Sequence, residues 1–275
     1  MTLARRRAAL PGFGLSLGLT LSALGLAVLV PLAALVVSSL SIDAATFRST
    51  LASPRVLASL RLSLLCALAG AAAAALLGGL VAWVLVRYPF PGRRVVDAVV
   101  DLPFALPTAV AGIALTTLYG PTGWIGRPLA ALGLPVSYTP AGIVVALVFL
   151  GLPFAVRTMQ PVLASLDPEV EDAAASLGAR RGQVFRRVLL PELLPALLTG
   201  FTLAFSRALG EYGSVVFISG NIPMRTEVAP LLVMTKLEQY DYAGATVLAV
   251  VLLAGSFLLL LAINRLQGLS ARGVA

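Results

Sequence analysis

The sequence predicts an all-α polytopic membrane protein: six membrane-crossing helices, with a charged loop between the fourth and the fifth. Three observations predict it. Apolar residues make up 59% of the 275 and charged ones only 12%, for a mean hydropathy of +0.97, outside the range of a water-soluble domain. Apolar runs recur at 13–40, 57–86, 95–118, 141–156, 193–219 and 243–263, lengths that cross or nearly cross a bilayer. If these runs alternate in direction, 13 of the 20 basic residues fall on one side. No fixed-period repeat or interdomain linker is evident, so residues 1–275 read as one domain.

Composition also excludes functions. With no histidine, His-based acid–base catalysis and His metal sites are ruled out, and no metal or cofactor is expected. The one cysteine, Cys66, lies in an apolar run and reads as a packing residue. The one lysine, Lys236, is not part of a G-x-x-x-x-G-K-[ST] loop, so any nucleotide energy must enter through a partner. The net charge of +8 follows the membrane sidedness of the arginines and does not indicate nucleic acid.

Arg5, Arg6 and Arg7 precede the first run. Its 28 residues make about 42 Å of helix, too long for a signal-peptide core, so an uncleaved span kinked at Pro31 is expected. The second run is rich in Ala and Gly (Ala69, then Ala71 to Ala75, Gly78, Gly79), which suits a helix packed against protein. In the third, Asp97 and Asp101 share a face near Arg93 and Arg94. Ion pairing with those arginines at the interface is preferred over a pathway role. Pro103 and Pro107 follow in LPFALPTAVAG, and each removes a helix hydrogen bond. Such breaks suit a pathway wall or a plain structural kink. Trp124 and Tyr138 are expected interface anchors in the next loop.

An inside amino terminus places Arg5, Arg6, Arg7, Arg87, Arg93, Arg94, Arg157, Arg180, Arg181, Arg186, Arg187, Arg265 and Arg272 in the cytoplasm. Arg48, Arg55, Arg61, Arg127, Arg207, Arg225 and Lys236 are left for the membrane and far side. Both termini are then cytoplasmic.

The segment 167–191, DPEVEDAAASLGARRGQVFRRVLLP, reads as helix, break, helix. Asp167 caps a helix starting at Pro168; Glu169, Glu171 and Asp172 crowd its first turn, and arginines follow later. Val170, Ala173, Ala174 and Leu177 form a small apolar face that Gly178 interrupts. The acids argue against a helix lying on anionic lipid. Asp172-Ala173-Ala174, Gly178, Val188, Leu190 and Pro191 resemble the E-A-A, G, I-x-L-P signature of ABC-importer permeases, with Asp172 in place of Glu and Glu171 beside it. The resemblance implies a type I importer permease fold. It also implies a cytoplasmic coupling helix that docks on an ATP-binding subunit through Glu171, Asp172, Ala173, Ala174, Leu177, Gly178, Val188 and Pro191.

In the fifth run, Ser206-Arg207-Ala208-Leu209-Gly210-Glu211-Tyr212-Gly213 carries an i,i+4 charge pair, open to two readings: a packing salt bridge, or a face of a translocation path. The stretch from Ser206 to Val250, with Leu10–Leu21 and Leu102–Gly112, resembles the T-type permeases of sulfate/thiosulfate ABC importers, within the binding-protein-dependent transport permeases. That resemblance implies four kinds of partner. They are a second homologous permease, two ATP-binding subunits that bind ATP in this chain's stead, a periplasmic or lipid-anchored sulfate-binding protein, and the bacterial inner membrane. A dianion needs donors along its path, and Arg207, Ser206, Tyr212, Ser214 and backbone near Gly210 and Gly213 are candidates; Glu211, Pro103 and Pro107 complete the expected pathway set. Two rival readings are a molybdate or tungstate importer permease, and an anion transporter driven by an ion gradient. The second predicts ionisable residues in several spans and inverted repeats, and only the fifth run carries such residues. No catalytic residue is expected.

Overall fold

The structure, a computed structural model, describes residues 13–272, with side chains through residue 265. Arg5, Arg6, Arg7 and the first residues of the Leu10–Leu21 stretch lie outside the described residues, as does the side chain of Arg272. Every regular element among the described residues is helical.

α1 runs Phe13–Leu40, with one π-helical turn at Gly25–Leu29. That turn ends two positions before Pro31, so the irregularity expected at the proline is taken up by the turn before it. α2, Ala44–Leu51, is capped by Asp43, whose carboxylate accepts from Thr46 N at 2.8 Å. α3, Pro54–Arg87, is the longest helix at 34 residues, about 51 Å, and so outreaches a hydrocarbon core of about 30 Å. Three short helices follow: α4, Arg93–Val100; α5, Leu102–Ala105; and α6, Thr108–Tyr119. α7 is Gly126–Ala131 and α8 is Pro140–Ser165. α9, Pro168–Ser176, leads into α10, Arg181–Leu209, whose turn Phe185–Leu189 is again π-helical. α11, Gly213–Ser219, α12, Ala229–Glu238, and α13, Tyr242–Arg272, complete the described chain.

Lipid gives no hydrophobic drive for one helix to pack on another, so close contact through small residues does that work here. α3 lies against α8 at Gly70 and Gly78. A Cβ on Gly70 would stand 2.7 Å from Leu147 Cβ, and one on Gly78 would stand 2.6 Å from Ala155 Cβ. The small-residue face expected of the second run is therefore the packed one. α10 joins this pair around Cys66, Ala67, Ala71, Ala74, Leu147 and Phe205, with Cys66 buried as expected. A second cluster (Leu85, Val100, Val156, Met159, Leu163, Leu193) closes the arginine-rich end. A third (Val56, Ala229, Leu232, Leu248) ties α12 and α13 to the start of α3. α1 has no buried residue among those described.

Five described helices are long and apolar enough to cross a membrane, where the sequence suggested six. The expected third span, 95–118, is instead α4, α5 and α6, because Pro103 and Pro107 break it; only α6 remains as a short apolar piece. The fourth is longer than 141–156. Arg157 does not end it, because Asp97 and Asp101 neutralise the guanidinium: Nε donates to Asp101 Oδ1 at 2.9 Å and Nη1 to Asp97 Oδ1 at 2.8 Å. The two carboxylates thus pair with Arg157 on α8 rather than with Arg93 and Arg94, and Gln160 joins through Nε2 to Asp97 at 2.8 Å. The fifth begins earlier than 193 and stops at Leu209, before α11.

Candidate functional site

The 167–191 segment folds as its composition requires. Asp167 caps α9, its side chain accepting from Glu169 N at 2.9 Å, and Pro168 holds the first helical position. Gly178 ends the turn with φ +84°, in the left-handed region where a side chain is strained. Beyond the glycine, Arg180 N donates to Gln183 Oε1 at 2.8 Å and starts α10. The apolar face of α9 is largely uncovered: Leu177, just past its end, is 90% exposed and Val170 51%, Ala173 and the neighbouring Asp172 are exposed, and Ala174 is half-buried.

The two carboxylates at the head of the motif part company. Glu171 turns inward, where its Oε1 lies 2.6 Å from Arg87 Nη1 at the end of α3, leaving Asp172 facing out. Arg87 also lies over the Trp83 ring, 5.1 Å from its centroid, and Trp83 meets Phe185 edge-on at 6.0 Å. Sequence reasoning treated Arg87 only as a marker of sidedness. Its one signal was a cation in the last turn of a helix too long for the membrane. Val188 and Pro191 are half-buried where α10 returns to the bundle.

The second expected site is also assembled. α10 breaks at Gly210, yet Arg207 Nη1 still reaches Glu211 Oε2 at 2.6 Å. Glu211 is buried, and its other oxygen accepts from Ser214 N at 2.9 Å and Ser214 Oγ at 3.0 Å, so the carboxylate caps α11. Ser206 Oγ donates to its own helix at Thr202 O, 2.6 Å. Arg207 keeps 39% of its side chain exposed and Tyr212 is 39% exposed, whereas the Ser206 and Ser214 hydroxyls have internal partners. Pro103 is buried and Pro107 exposed; the break at Pro107 starts α6, which packs on α11. Thr108 lies against Gly213 and Gly112 against Ser214, so the proline break and the Gly-Glu-Tyr break, distant in sequence, adjoin in space.

At the opposite end of α3, Arg55 holds Glu227 in a bidentate pair, Nε to Oε2 and Nη2 to Oε1, each 2.7 Å, and Ala229 N donates to Ser63 Oγ at 2.7 Å. The sequence reading missed this pair; 171 residues separate its members.

Interrupted helices packed on one another beside a half-exposed cation, with an exposed knob elsewhere on the chain, suit a transport permease. The chain belongs to the family described as the binding-protein-dependent transport system inner membrane component, which matches residues 74–275. It is 48% identical over 268 residues, 98% of this chain and 97% of the relative, to the sulfate transport system permease protein CysT of Salmonella typhimurium. Identity to the protein of that name from Synechocystis is 51% over 242 residues, 88% of this chain and 85% of the relative. A solved bacterial ABC transporter for alginate import shares the fold, with a TM-score of 0.73 at 16% identity, covering 93% of this chain and 95% of that one. An amino acid ABC transporter gives 0.55 at 18%, covering 84% and 99%. The fold is that of type I ABC-importer permeases, and the chain is an integral membrane protein.

Proposed function

We propose that this chain is the permease subunit of an ATP-driven importer that carries sulfate, and thiosulfate with it, across the bacterial inner membrane. The uncovered apolar tip of α9, Leu177 and Val170 beside exposed Asp172, carries the reading. It is a capped, rigid knob that suits a groove on a nucleotide-binding partner and leaves the chain to transmit force rather than generate it. The cargo follows from the names of relatives that match almost the whole chain.

In this reading both termini and α9 are cytoplasmic. The partners are a second homologous permease, two ATP-binding subunits and a periplasmic or lipid-anchored sulfate-binding protein. ATP stays on the partners, so the chain needs no cofactor and performs no covalent step. Closure of the ATP-binding pair moves the coupling loop and biases the helix bundle between two openings. Along the path, the dianion meets the exposed part of Arg207 and the Tyr212 hydroxyl. Glu211 fixes the arginine from behind, since its oxygens are already engaged by Arg207 and Ser214. The break at Pro103 and Pro107 forms the adjoining wall.

The test is uptake of labelled sulfate, thiosulfate and molybdate in cells lacking their own permeases and supplied with the complete set of subunits. Sulfate and thiosulfate uptake that stops on ATP depletion with ion gradients clamped is expected. Molybdate-only uptake, or uptake that outlasts ATP, overturns the proposal.

A further inference from the structure

We propose that Arg87 is a positioning residue for the coupling loop: with Trp83 one turn before it, it grips both ends of the knob and passes the knob's movement into α3. This rests on the coupling reading above.

The grip is two-sided. Arg87 Nη1 reaches Glu171 in the first turn of α9, before the Gly178 break. Trp83 meets Phe185, the first residue of the π-helical turn beyond that break. Trp83 and Arg87, at i and i+4, lie on one face of α3, and the guanidinium stacks on the indole, so one helix end holds both arms of the loop.

The contact is poorly suited to being a simple staple. Glu171 Oε1 has no aligned hydrogen-bond donor despite the 2.6 Å separation from Nη1, so charge holds the pair more than geometry does. Arg87 Nε and Nη2 are buried without a protein hydrogen-bond partner, whereas Arg157 and Arg55 engage more of their five donors. A guanidinium with spare donors can shift along the carboxylate as α9 moves without losing the attraction. The adjacent π-helical turn supplies slack on the other arm.

The test uses the full transporter in proteoliposomes, with two readouts: cross-linking from a cysteine at position 173 to the ATP-binding subunit, and ATP hydrolysed per sulfate carried. Arg87→Ala and Arg87→Glu should keep the cross-link but raise ATP consumed per sulfate about tenfold. Arg87→Glu combined with Glu171→Arg should return the ratio to within about threefold of the unaltered protein. Single variants with an unaltered ratio, or a swap no better than the singles, overturn the proposal. If Arg87→Ala does not assemble, the swap decides alone. Absence of the cross-link in the unaltered transporter instead overturns the coupling reading.

Discussion

Gly112 of α6 presses against the backbone of Ser214 in α11 so closely that a Cβ on the glycine would stand 2.5 Å from the Ser214 carbonyl oxygen. The contact joins two interrupted helices, and backbone atoms cannot retreat as a flexible side chain does. Gly112→Val should therefore destabilise the protein by about 1–3 kcal/mol, the usual cost of overfilling a packed interior. A fall in the detergent melting temperature, with sulfate uptake lost in proportion, is expected; an unchanged melting temperature would refute the contact.

Arg55 and Glu227 offer a sharper asymmetry. Glu227 is buried, its side chain only 1% exposed, while Arg55 keeps 35% exposure. Arg55→Ala strands a carboxylate without its counter-ion and should cost about 3 kcal/mol, less where water reaches the site. Arg55→Met together with Glu227→Leu should recover most of that loss. Melting curves of the singles and the double give the comparison.

Gly178→Asp strains a left-handed backbone position and puts a negative charge beside the exposed tip. The membrane bundle is remote from this change, so the permease should insert normally but no longer retain the ATP-binding subunits through purification. Normal co-purification would count against α9 as the docking element.

Under the proposed pathway role of this half-exposed cation, Arg207→Ala should lower sulfate uptake at least about tenfold while leaving assembled protein in the membrane. Loss of the protein from the membrane would instead assign Arg207 to packing, through the Glu211 carboxylate left buried behind it.

Acid should loosen the turn before α13. Lys236 Nζ donates to Asp241 Oδ2 at 2.7 Å and Gly244 N to Oδ1 at 2.8 Å, and the lysine bond, then the amide, hold the carboxyl below its ordinary value of 3.8. A lowered carboxylate stabilises the fold fully above that ordinary value and loses its contribution as pH falls through the folded one. The pair should thus matter equally from neutral pH down to about 5 and fade below about 4. Melting temperatures of the parent and Asp241→Asn should converge as pH drops through that range.

The local chemistry of the chain was readable from sequence wherever one segment determined its own shape. The Asp167 cap, Pro168 at the first helical position and the Gly178 turn follow from neighbours within a dozen residues. Failures came where distant charges meet. Arg157 looked like the end of a span because Asp97 and Asp101, on another helix, could not be seen to neutralise it. Glu227 gave no sign of Arg55, and Arg87 none of Glu171. In the third run the two proline breaks were legible, but its continuous hydropathy still suggested one span where the structure has three short helices. The short α2, α7 and α12 sit in connections that hydropathy alone reads as loops.

One helix carries an arginine clasp near each tip. Arg55 holds the 220–228 connection and Arg87 holds the 166–180 one, and the two arginines lie 32 positions apart, about 48 Å of rod. Between them Gly70 and Gly78 pinch α3 onto α8 at two points about 12 Å apart, which stops the rod from rolling on its neighbour. Under the coupling proposal, a tug at one tip would reappear as a tilt at the other, so that fuel burnt on one surface of the bilayer would be felt by a loop on the opposite surface.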